Sequence, residues 1–171
     1  YATAISVFAG LNRPADIAQL QTNCMLPLMW TGRHDEAETM GRHALKVLGV
    51  QEEDSSVANL LLNLGICARH RGDYTTALAR TKRAAQTFSR LGKAVQSARC
   101  RVTQSIVLEY LDRFVEAKEL LEDAVEVFAA HDARVPWARA ALNLGVLHAR
   151  LADHQAALSW LEKSREAFLE A

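Results

Sequence analysis

Alanine recurs every 40 residues, at Ala37, Ala77, Ala117 and Ala157, without drift. Seven residues further on come Ala44, Ala84, Ala124 and Ser164, and eleven further on come Leu48, Phe88, Phe128 and Phe168. Upstream, the same register aligns Ala18, Ala58, Ala98 and Ala138, then Asn23, Asn63, Thr103 and Asn143. A fixed period of this length means an array of supersecondary units, each too small to bury both of its apolar faces without a neighbour. The 171 residues are therefore four units and a stub rather than one globular domain.

Each unit reads as two helices. Ala (29) and Leu (23) dominate the apolar half of the chain, while Pro (3) and Gly (8) are scarce, which is an all-helix composition. In the second unit, Ser56–His70 is a first helix, Arg71-Gly72-Asp73 a turn, and Tyr74–Arg90 a second helix. Gly72 suits the left-handed position that ends a helix, and Asp73 suits the N-cap of the next; Asp153 repeats that cap in the fourth unit. Ala77 and Ala84 lie on one helical face, where a neighbouring helix can approach closely, with Phe88 one turn beyond them. Pro27, inside the first helix of the first unit, is expected to kink that helix or delay its start.

Asn63-Leu64-Gly65, Gly72-Asp73-Tyr74, Ala77, Ala84 and Phe88 together resemble a tetratricopeptide repeat (TPR), and Asn143-Leu144-Gly145 with Ala157 and Phe168 repeats the pattern. The 40-residue spacing is similar to that of GoLoco-binding adaptors, kinesin light chains and bacterial TPR-containing regulators. The turn position reads Gly32, Gly72, Asp112 and Ala152; in repeats 1 and 3, Met25 and Ser105 replace the signature glycine and Asp112 the turn glycine, which blurs local packing but not the fold. The resemblance implies an all-α, right-handed α-solenoid of stacked antiparallel helix pairs.

The register divides the chain into an orphan second helix at 1–11 and repeats at 12–51, 52–91, 92–131 and 132–171. Ala4 and Phe8 align with Ala44 and Leu48, so the chain reads as a piece of a longer array. Terminal helices without a polar outer face are expected to allow self-association.

In such an array the first helices line the concave surface. Helical spacing puts Gln19, Thr22, Asn23, Leu26 and Met29 there, then Asn59, Leu62, Asn63, Ile66 and Arg69. Arg99, Val102, Thr103, Ile106 and Glu109 follow, then Arg139, Leu142, Asn143, Val146 and Ala149. Apolar floor mixed with amides and charges suits an extended peptide, whose backbone needs donors and acceptors and whose side chains need apolar pockets. The resemblance implies that Asn23, Asn63 and Asn143 hold a target's backbone, with Thr103 in the gap. It also implies that Arg99 and Arg139 grip a carboxylate, acidic or C-terminal, while Thr22, Leu62 and Val102 leave that clamp incomplete. Two plainer readings stay open from sequence: amides bridging adjacent helices, and arginines spent in exposed ion pairs.

Catalysis is not expected. The six histidines form no HExxH motif and no i, i+4 pair, and Cys24, Cys67 and Cys100 are scattered, so neither metal nor cofactor is indicated. An odd cysteine count without an export signal favours the cytoplasm, and no apolar run is long enough to span a membrane. Trp30, Trp137 and Trp160 occupy different columns and read as packing residues, Trp30 alone standing at a groove edge. Net charge is zero, which disfavours nucleic acid, yet it sums a +8 stretch from Arg69 to Arg101 and a −5 stretch from Glu109 to Glu126. The basic helix (Arg80, Lys82, Arg83, Arg90) and the acidic one (Glu116, Glu119, Glu122, Asp123, Glu126) are expected to pair as neighbouring ridges, the alternative being a basic patch for an acidic protein segment or nucleic acid. The leading expectation is a non-catalytic scaffold that binds a protein or peptide; the alternative is the sensor or oligomerisation segment of a bacterial transcriptional regulator or signalling ATPase.

Overall fold

The computed structural model of the chain describes residues 14–48 and 54–170. The expected orphan helix at 1–11 lies outside the described residues. Eight helices and no strand occur among them: α1 (Pro14–Trp30), α2 (His34–Leu48), α3 (Ser55–His70), α4 (Tyr74–Arg90), α5 (Ala94–Tyr110), α6 (Phe114–Ala130), α7 (Arg134–Arg150) and α8 (His154–Leu169). They form two compact units, residues 1–91 with α1–α4 and residues 92–171 with α5–α8. In the first unit α1 pairs with α2 and α3 with α4, and α3 packs against both α2 and α1. The second unit repeats this order, with α5 paired to α6, α7 to α8, and α7 against α6 and α5. Helix α1 runs unbroken from Pro14 with Pro27 inside it, so the proline does not delay its start.

Four near-identical turns join the pairs. In each, the last turn residue donates its N–H to a carbonyl five positions back: Arg33 to Leu28 (2.9 Å), Asp73 to Ala68 (2.9 Å), Arg113 to Leu108 (3.0 Å) and Asp153 to His148 (2.9 Å). That closure requires a left-handed residue before the donor. Gly32 (φ 75°) and Gly72 (φ 77°) supply it without strain, whereas Asp112 (φ 57°) and Ala152 (φ 60°) adopt it with a Cβ present. The next helix then starts on a cap where the sequence offers one: Asp73 accepts from Thr76 N at 3.1 Å, and Asp153 from Ala156 N at 3.2 Å.

The small-residue columns are where helices approach. A Cβ on Gly65 would lie 2.5 Å from Thr81 Cγ2, and one on Gly145 would lie 2.7 Å from Leu161 Cγ. At the same register Ser105 is fully buried and turns its hydroxyl onto Val102 O at 2.8 Å. Met25 joins a buried cluster in the first unit with Ala18, Met29, Ala37, Ala44, Leu60, Leu64 and Cys67. Ser164 replaces the last alanine of its column by donating to Ala138 O of α7 at 2.7 Å. Burying each large aliphatic side chain of this core contributes ~1.5–3 kcal/mol.

The aromatic column changes at its last member. Phe88 and Phe128 are 1% exposed, whereas Phe168 is 43% exposed, and Leu158 and Leu169 of the same helix also stand in solvent. Helix α8 thus exposes the aromatic side chain that its counterpart α6 buries.

Candidate functional site

The outward faces of the first helices carry the residues that the register selects, in two sets, one per unit. In the first unit, Asn23 on α1 is exposed, and its Oδ1 accepts a hydrogen bond from Gln19 Nε2 at 3.1 Å. That bond lies along α1 itself, so Asn23 does not bridge to α3. Asn63 on α3 is half-buried and makes no side-chain hydrogen bond among the described residues. Leu26 and Ile66 flank the amides as partly open apolar surface. Thr22, Leu62 and Met29 are buried, Thr22 with its hydroxyl on Ala18 O at 2.8 Å, and belong to the floor rather than the lining.

In the second unit, Arg99 on α5 and Arg139 on α7 hold equivalent register positions on helices in contact. Both are exposed, and neither has an acidic partner among the described residues, so the ion-pair reading does not apply. Thr103 donates to Arg99 O at 3.2 Å, which turns its hydroxyl proton to its own helix. Asn143 is half-buried and without a side-chain hydrogen bond among the described residues, like Asn63. Leu142 and Val146 are open, and Ile106 half so.

The far end of each face is already committed. Glu109, 7% exposed, pairs with Arg150 Nη1 at 3.3 Å, and the Arg150 guanidinium lies over the Phe114 ring at 5.2 Å. Burial raises the Glu109 carboxyl, against the hydrogen bond and charge of Arg150. Arg69 is half-buried, with its Nη2 at 3.0 Å from His70 Nε2, and His70 stacks on His34. From sequence these histidines form no HExxH motif and no i, i+4 pair. Two columns could have revealed them: positions 34, 74, 114 and 154 read His, Tyr, Phe, His, and positions 30, 70, 110 and 150 read Trp, His, Tyr, Arg, so every member is planar. His34–His70 and Phe114–Arg150 are the same contact, 36 residues apart, one in each unit. Trp30, first in its column, is 81% exposed, while Trp137 and Trp160 pack on each other at 6.5 Å.

Nothing among the described residues is arranged for metal chemistry, since no three His, Cys, Asp or Glu side chains converge. Burial pushes the Cys67 and Cys100 thiols up to about 11 and about 12, away from the thiolate a nucleophile needs. A cavity of about 200 Å³ between α2, α3 and α4 is occupied at its rim by paired charges, Glu38 with Arg80 and Arg42. At α6, Glu116 pairs with the preceding Arg113 and Glu122 with Lys118.

The family profile described as tetratricopeptide repeat matches residues 28–86, 56–130 and 106–170. The chain belongs to the tetratricopeptide repeat family. Solved TPR-like structures agree in fold. BtubC (BKLC) from P. vanneervenii shares 19% identity over 92% of this TPR chain and 65% of its own, with a TM-score of 0.80. The apo form of RapI shares 15% over 98% of the TPR chain and 61% of its own, with a TM-score of 0.85. The Rap conjugation gene regulator of the plasmid pLS20, solved with the Phr* peptide, shares 14% over 90% and 41%, with a TM-score of 0.74. The TPR chain thus spans less than two thirds of each of these relatives. No curated protein matches it. Among its described residues no helix is long and apolar enough to cross a membrane. Family and fold are those of protein-interaction scaffolds in general.

Proposed function

We propose that this TPR chain is a non-catalytic, cytoplasmic module that binds an extended segment of another protein along its first-helix faces. Asn63 and Asn143 carry the reading. Each is a half-buried amide without a partner among the described residues, at one register position, between apolar neighbours. An amide in that state offers a peptide backbone both a donor and an acceptor. Arg99 and Arg139 add two unpaired guanidinium forks at the start of the second unit's face, which favours a partner with a carboxylate near the bound stretch. Asn23 and Thr103 contribute what their intrahelical bonds leave over, an amide N–H₂ and a hydroxyl lone pair.

The test is a double Asn63→Ala, Asn143→Ala variant, titrated with peptides selected on the wild-type chain from a random library. Each lost hydrogen bond is worth ~0.5–1.5 kcal/mol, so a peptide held by either amide should lose about 2- to 13-fold in Kd. The melting temperature should hardly move, because neither amide supports the core. Equal affinity in the two proteins would remove the asparagines from the reading.

The likeness to a plasmid gene regulator solved with a peptide favours a second reading, in which this TPR segment senses a peptide on behalf of a larger regulator. Release of a DNA-binding or ATPase activity upon peptide binding, in the parent protein, would distinguish it from a plain scaffold.

A further inference from the structure

Arg69 stands on the α3 face selected by the register, yet its guanidinium is held elsewhere. Its Nη2 lies 3.0 Å from His70 Nε2. A guanidinium has five N–H donors and no acceptor, so this contact needs a lone pair on Nε2. The contact is one that a neutral His70 can accept, with its ring proton on Nδ1. The same ring stacks on His34 with centroids 4.7 Å apart and planes 6° from parallel. His34 Nδ1 is buried without a hydrogen-bond partner, and so is Arg69 Nε. A proton on His34 Nδ1 would be a buried N–H with no acceptor among the described residues.

The surrounding charges do not relieve this. Asp35 at the start of α2 is bound to Arg71 at 3.3 Å, and Asp73 at the N-cap of α4 is bound to Thr76 N. Glu38, further along α2, is held by Arg80 and Arg42. Arg33 before α2 is paired with Glu36, and the remaining charges at the joint are the cations Arg69 and Arg71. Partial burial, then the charge of Arg69 and the neighbouring His34, holds His70 below its ordinary value of 6.5.

We propose that the His34–His70 stack is a proton-operated latch on Arg69, which a neutral His70 ring, steadied by His34, holds at the α3 terminus and a proton on His70 releases toward the binding face. When Nε2 takes the proton its lone pair is gone, and two cationic N–H groups face each other. The guanidinium must then leave, and becomes a free bidentate donor for a carboxylate. Acid would thereby strengthen an acidic partner on the first unit. That consequence rests on the proposed binding reading; the latch itself does not.

Long-range ¹H–¹⁵N spectra of the full chain, recorded from about pH 8 to about pH 5 across the histidine range, test it. The expected results are an Nδ1–H tautomer for His70 at neutral pH and a midpoint below 6.5. The Arg69 Nε signal should follow that midpoint. In Arg69→Ala the His70 midpoint should move upward, and in His70→Phe, which keeps a ring on the stack, the Arg69 signal should become independent of pH. An Nε2–H tautomer, an unmoved midpoint in Arg69→Ala, or an Arg69 signal indifferent to His70 would each overturn the latch. None of these readouts involves a peptide, so a failure of peptide binding would not be mistaken for a failure of the latch.

Discussion

Arg80 Nη2 on α4 lies 2.8 Å from Glu38 Oε1 on α2, and its Nη1 reaches both Glu38 Oε2 at 2.9 Å and Leu64 O at 3.0 Å. One guanidinium therefore ties three helices of the first unit together. Arg42 donates to the same carboxylate at 2.8 Å from the exposed side. Burial raises the Glu38 carboxyl, but the hydrogen bonds and charges of Arg80 and Arg42 outweigh it, and the net displacement is downward. The carboxylate thus adds stability above its ordinary value of 4.5, and loses it as pH falls through the lowered one.

Glu38→Gln should cost about 2–3 kcal/mol in urea unfolding at neutral pH. That is below the ~3–5 kcal/mol of a fully buried broken pair, because Arg80 keeps 18% of its side chain in water. The variant should also lose less stability than wild type when the pH is taken below 4.5. Parallel acid limbs in the two proteins would show that the carboxylate is not the group that matters.

Gln104 occupies the column of Leu64 and Leu144, is 8% exposed, and leaves its Nε2 without a hydrogen bond among the described residues. A buried amide donor left unsatisfied costs ~1–3 kcal/mol. Gln104→Leu restores the column residue at similar volume, so the urea midpoint should rise, by about 1 kcal/mol in stability. A fall instead would show that the amide is serving a contact it needs.

Ala152 holds φ 60° where Gly32 and Gly72 hold the equivalent turn position. Ala152→Gly should stabilise the fourth repeat by about 0.5–1 kcal/mol, since the left-handed penalty of the Cβ outweighs the extra unfolded-chain freedom of glycine. The mirror substitution Gly145→Ala should cost about 1–3 kcal/mol through overpacking. Its Cβ would meet Leu161 Cγ at 2.7 Å and Ala157 O at 3.2 Å. Thermal melts of the two variants should move in opposite directions, and a shared direction would refute the account of the turn or of the crossing.

The period alone determined much of this protein. A 40-residue register of Ala37, Ala44 and Leu48 equivalents defines helix pairs, and the expected helix at Ser56–His70 differs from the observed one by a single residue. Turn chemistry was equally legible, because a left-handed residue followed by a capping Asp is a local requirement that adjacent residues satisfy among themselves. The face of each first helix could also be read, since 3.6 residues per turn fixes which side chains point together. Partners could not. Thr22 is sunk into the floor, Asn23 is tied to Gln19, and Arg69 is bound to a histidine that itself stacks on a ring 36 residues earlier in the chain. Glu38 and Arg80 meet across 42 residues, and Glu109 and Arg150 across 41. Helical spacing says where a side chain points but not what stands opposite, and what stands opposite comes from the neighbouring repeat. Only the packing of one helix pair on the next decides which polar groups of a face are already used and which remain to meet a ligand.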